Sequence, residues 1–153
     1  MTSAMRKFRR PQPHLAACLV LGVLLSSSVA TAESSGTRSV LSTGTTVTDE
    51  PIRYPSGTPH ITAVELTFKP GQQTGWHIHP VPLFGYILEG ELTVDYGAKG
   101  KRTYRKGEAL MEAMNEAHNG RNTGRRPLKI LVVYMGADGV PNSSPASPPA
   151  RDR

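Results

Sequence analysis

Two histidines one residue apart, His77 and His79, and a third at His118 are the residues of this 153-residue chain best placed to do chemistry. On a β-strand, side chains at i and i+2 share a face. An extended His77-Ile78-His79 segment therefore presents two imidazoles together. Neutral imidazole is the commonest protein ligand for transition metals. Three imidazoles leave open positions on a bound metal, where O₂ or water is activated or a carbonyl polarised. The competing reading is a hydrogen-bonded core network without metal. Three convergent imidazoles are costly to bury for packing alone, which favours the metal. The residue types do not choose among iron, manganese, nickel, copper and zinc. Because the ligands must be neutral, binding is expected to weaken as pH falls through about 6.5.

The elements that position these histidines read as β-strands. Between residues 44 and 138 the apolar period is close to two, with candidate strands at 61–68, 84–88, 92–96, 110–114 and 128–135. Turn signals separate them: Pro70-Gly71, Glu89-Gly90, the 97–100 stretch, Lys106-Gly107 and Asn122-Thr123-Gly124. No segment carries a convincing amphipathic helical period. Short strands at regular spacing, without an internal repeat, predict one all-β sandwich or barrel. Tyr86, alternating with Phe84 and Leu88, reads as core, and His60 as a surface-loop residue. Trp76 reads either as packing or as a cap on the mouth of a pocket. Asn122 reads as holding a turn.

The two ends differ from the middle. A basic start at Arg6, Lys7, Arg9 and Arg10, an apolar run over 15–25 and Ala30-Thr31-Ala32 have the layout of a secretory signal peptide. The expectation is cleavage after Ala32, a periplasmic or secreted protein, and no stable membrane anchor afterwards; the apolar run is short for a bilayer span. The only cysteine, Cys18, falls within the signal, so the mature chain has neither disulfide nor thiolate chemistry. The whole chain carries 18 basic and 12 acidic residues; without the four basic residues of the signal the net charge drops from +6 to +2. That balance gives no support for nucleic-acid binding. Residues 33–43 read as a flexible linker and 139–153 as a disordered Pro/Ser-rich tail.

At these motifs the chain resembles the cupins, whose fold is a small jelly-roll barrel. The first cupin motif, G-x5-H-x-H-x(3,4)-E-x6-G, is matched by Gly71, His77, His79 and Gly90. The second, G-x5-P-x-G-x2-H-x3-N, is matched by Gly107, His118 and Asn122, with Ala113 at the proline position and Asn115 at the glycine position. The resemblance implies a single cupin-type jelly-roll barrel with flexible tails. It also implies a divalent transition metal on His77, His79 and His118, usually with one glutamate. Here the glutamate position falls on Leu83. Glu112 is the nearest replacement, as a ligand or as an acid–base group beside the metal; the alternative is a solvent-facing strand residue, because strand alternation leaves its direction open. Gln72 and Gln73 are weaker candidates for the metal's surroundings.

The resemblance implies a menu of dioxygenases, isomerases, decarboxylases and lyases acting on a small-molecule ligand; beside such a centre Glu112 is the candidate general base. The alternative is a non-catalytic module that binds a small molecule or a metal. Pairing of barrels into a homodimer through their sheets is a further expectation.

Overall fold

The structure, a computed structural model, describes residues 36–150. The expected signal peptide, residues 1–32, lies outside the described residues. Among the described residues nine strands run β1 Pro59–Phe68, β2 His77–Ile78, β3 Leu83–Glu89, β4 Glu91–Asp95, β5 Lys101–Arg105, β6 Ala109–Met111, β7 Asn119–Asn122, β8 Leu128–Ala137 and β9 Ser144–Pro145. They form a four-stranded sheet in the order β1-β8-β3-β6, a three-stranded sheet β5-β4-β7 and a two-stranded pair β2-β9. Every pairing is antiparallel. Among the described residues only a short 3₁₀ turn at Gly97–Lys99 stands beside the strands, and non-consecutive strands are adjacent in each sheet; this is the all-β barrel that the alternation predicts and the jelly roll that the cupin resemblance implies.

Register decides which side chains face inward. Leu66 of β1 lies opposite Ile130 of β8, which in turn lies opposite Ile87 of β3. Val64 and Gly85 flank Val132 in the same way. All of these therefore point to one face of the larger sheet. Leu92 and Val94 of the smaller sheet and Tyr96, just past β4, meet them, and the core fills with Leu83, Leu110 and Leu128. Gly85 sits mid-strand because a Cβ there would meet Leu110 Cδ2 at 2.9 Å and Ile130 Cδ1 at 3.2 Å. Gly90 joins β3 to β4 at φ +80°, and a Cβ there would meet the Pro127 carbonyl oxygen at 2.6 Å. Both the conformation and the space at that turn demand glycine.

Some expectations need correction. Tyr86 is not core. Leu83, Gly85 and Ile87 take the inward face of β3, leaving Phe84, Tyr86 and Leu88 half-buried on the other. The Tyr86 hydroxyl accepts a hydrogen bond from Arg38 Nη2 at 3.0 Å. His60 lies on β1 and not in a loop; its exposed Nδ1 is 3.0 Å from Asp138 Oδ1. Within the Pro/Ser-rich stretch the described residues include the short strand β9. Ser144–Pro145 pairs with His77–Ile78, and Ala146 N–H donates to the Trp76 carbonyl at 3.0 Å. No residue of 141–150 is fully buried. A sheet edge needs only backbone groups, which any sequence supplies.

Candidate metal centre

His77 and His118 are paired with each other in an antiparallel bridge. Each donates its backbone N–H to the other's carbonyl at 3.0 Å. This is the close hydrogen-bonded pairing of antiparallel strands, which places the two side chains side by side on one face. His79 follows β2, and its carbonyl accepts from Asn115 N–H at 2.9 Å. Asn115 stands at the motif's glycine position and has φ +53°. Asparagine is among the few residues that take this left-handed conformation readily, so the turn that carries His118 survives the replacement.

All three rings are oriented in the same manner. Nδ1–H of His77 donates to the Gly75 carbonyl, that of His79 to the Asn142 carbonyl and that of His118 to the Glu116 carbonyl, each at 2.8 Å. A carbonyl only accepts, so each Nδ1 carries the proton and each Nε2 keeps its lone pair. The three rings converge with centroids 4.5–5.1 Å apart. One ligand atom from each lies within 4.8 Å of the others. Nε2 of His77 and Nε2 of His79 are 3.1 Å apart, two lone pairs facing with no proton between them. Nε2 of His118 is buried without any hydrogen-bond partner. Buried polar atoms are rarely left in this state. A divalent cation satisfies all three at once, and backbone carbonyls behind the rings are the usual supports of histidine ligands. The donor set fits a transition metal.

Burial, which disfavours the charged ring, pushes the His79 imidazole down to about 3; the bond to Asn142 opposes this, and the neighbouring His118 and His77 add to it. His77 is lowered for the same leading reason. Both rings are thus held neutral, the form in which an imidazole ligates a metal.

Glu112 is buried, at 5 % exposure, which removes the solvent-facing alternative. It lies one residue past the end of β6, so strand alternation no longer governs its direction. Its Oε1 accepts from the Tyr96 hydroxyl at 2.7 Å and from Ala113 N–H at 2.8 Å. Its Oε2 lies 3.8 Å from Nε2 of His118. The carboxylate next to the imidazoles thus comes from the strand exit after β6, while Leu83 is buried at the usual glutamate position. Gln72 and Gln73 stay outside: Gln72 Oε1 accepts from Lys69 N–H and Gln73 Oε1 from Asn119 Nδ2. Asn122 is wholly buried and holds a turn, donating to the Phe68 and Arg126 carbonyls and accepting from Gly124 N–H.

Asn142, Ser143 and Ser144 were not among the residues singled out from the sequence, yet one carbonyl of this strap orients His79 and the two serines line the cavity beside it. A backbone carbonyl leaves no trace in residue type, so no motif could have found it. Tyr96, which holds Glu112, was likewise missed; an alternating aromatic in a strand reads only as packing.

A three-imidazole centre at the mouth of an antiparallel barrel defines a metal-binding cupin. Residues 64–134 match the family model of the Cupin domain, and the barrel is of the cupin type. Solved structures with the same fold include an uncharacterized conserved protein with a double-stranded β-helix domain from Klebsiella pneumoniae subsp. pneumoniae MGH 78578. It is 20% identical with a TM-score of 0.50, over 65% of this chain and 94% of that one. The DMSP lyase DddQ from Ruegeria pomeroyi DSS-3 is 23% identical with a TM-score of 0.50, over 60% of this chain and 45% of the lyase. The oxalate decarboxylase of Lactobacillus farciminis is 23% identical with a TM-score of 0.47, over 56% of this chain and 26% of the decarboxylase. The match thus spans about a quarter of the decarboxylase and under half of the lyase. No protein of curated function matches the chain in sequence.

Proposed function

We propose that this chain is a small metalloenzyme of the dioxygenase, isomerase or lyase type, exported by its N-terminal signal and acting on a small organic molecule. The observation that carries the reading is the set of three Nδ1–H···O=C tethers, which leaves three Nε2 lone pairs converging with nothing else to bind. His77, His79 and His118 would hold the ion. A divalent transition metal bound there supplies a Lewis acid or a site for O₂.

The residues of the chain do the rest. Glu112 offers a buried carboxylate oxygen on the pocket side of His118, while the Tyr96 hydroxyl and Ala113 N–H anchor its other oxygen. That arrangement suits a general base that takes a proton from the bound molecule at Oε2 and holds it there. The apolar barrel walls lower the polarity of the same space, which strengthens the charge interactions within it. A binding module would keep the histidines and the cavity but would not need a pinned carboxylate.

Elemental analysis of the mature protein, purified without chelator beside a His77→Ala/His79→Ala control, tests the metal. About one equivalent in the native protein and almost none in the control is expected. A metal-free native protein would overturn the reading. Glu112→Gln should keep the metal and lower turnover by roughly 10²–10⁴. A protein that holds metal and melts higher with a small ligand, yet yields no product, would be the binding module instead.

A further inference from the structure

Beside the three imidazoles lies a cavity of about 450 Å³. That volume is within the range of small-molecule sites and suits a single ring with a short chain. Its walls are apolar and come from both sheets, among them Leu66, Leu92, Val94, Leu110, Ile130 and Val132. Leu83 extends this wall where the family motif would place a carboxylate. The charged and metal-ligating groups are His77, His79, His118 and Glu112; the remaining polar lining residues, Thr74, Tyr134, Ser143 and Ser144, are uncharged. Among the described residues that line the cavity there is no lysine or arginine.

We infer that the site takes a small molecule with one oxygen-donor head and an apolar body, at most a monoanion, and discriminates against compact dianions. The inference rests on the metal-centre reading for the head and on the cavity walls for the body. One anionic head has the metal for a counter-charge. A second carboxylate on a compact molecule would lie either beside the first at the metal, where Glu112 repels it, or against aliphatic side chains, where an unpaired charge is costly. An apolar body removes its own surface and that of the walls from water.

The sole tryptophan, Trp76, lines the cavity and reports occupancy by its fluorescence. Titration of the full mature protein with 3-phenylpropionate and with malonate, each sample assayed for metal, tests the inference. In the metal-bearing protein 3-phenylpropionate should bind at least about tenfold more tightly. Leu66→Lys, which puts a cation on a half-buried wall position, should shift the ratio toward malonate by about tenfold. Malonate binding as well or better with one equivalent of metal present overturns the ligand class and leaves the metal centre standing. So does failure of both probes to bind. A native protein without metal overturns the metal centre, and the same ranking measured on it still decides for or against the apolar body. Should Leu66→Lys not fold, the wild-type ranking decides alone.

Discussion

His118 and His79 reach the same point by different means. His118 is oriented from within its own turn, by the Glu116 carbonyl two residues earlier, and exchanges both backbone hydrogen bonds with His77. His79 takes its orientation from the Asn142 carbonyl, 63 residues downstream, on a segment that among the described residues forms just the two-residue strand β9. One ligand is held by local chain geometry, the other by a tertiary contact with a segment poor in buried side chains. Local geometry forms with the turn. A distant contact persists only while the strap stays docked, so it is the weaker half of the site.

Removing a ligand outright gives the largest effect. His118→Ala should bring metal from about one equivalent to nearly none while the barrel, whose core lies between the sheets, keeps its circular dichroism. Retained metal would mean that His77, His79 and Glu112 suffice, and the local side would not be the indispensable one.

Acid acts next, and mainly through His79. In the unfolded chain its imidazole takes a proton near 6.5, whereas burial holds it neutral in the folded protein down to about 3. Between those values the unfolded state binds more protons, so stability falls as pH falls through that window. The chelated protein should therefore melt at progressively lower temperature from about pH 6.5 to about pH 3, and His79→Gln should flatten that slope. An unchanged slope would remove His79 as the cause.

Ending the chain after Val140 tests the distant tether directly. It removes Asn142 and the β2–β9 pairing but no residue of the core cluster. Loss of a supporting carbonyl behind a ligand histidine typically costs about 10–100-fold in metal affinity. That loss is expected in competition with a chelator, together with a changed Trp76 emission, because the Trp76 carbonyl loses Ala146. Native affinity in the truncated protein would show that β2 orients His79 unaided.

The sequence made the local half of this comparison visible and hid the other. His77-Ile78-His79 and the Gly107 to Asn122 spacing carry side-chain identity, and apolar alternation locates β1, β3, β4 and β8. Four strands escaped that alternation. Lys101–Arg105 is a polar edge strand, Asn119–Asn122 contains no large apolar residue, and His77–Ile78 and Ser144–Pro145 are too short for any period. Glu112 was found as a type but not as a direction, since it lies just where strand alternation ends. Asn142 acts through its main chain, and nothing in its side chain announces that.

The smallest expected effect sharpens the comparison most. Glu116 contributes to His118 through its backbone carbonyl, whereas its carboxylate pairs with Lys99 Nζ at 2.8 Å. Lys99 also reaches Glu50 at 3.1 Å, so the cation keeps a partner when Glu116 is shortened. Glu116→Ala should therefore cost no more than about 1 kcal/mol of stability, as for partly exposed ion pairs, and leave metal affinity unchanged. Chelator competition and thermal melting measure the two separately. A tenfold loss of metal affinity in Glu116→Ala would mean that the ion pair, and not the turn, fixes the carbonyl. His118 would then depend on remote contacts as His79 does, and the distinction between the two ligands would disappear.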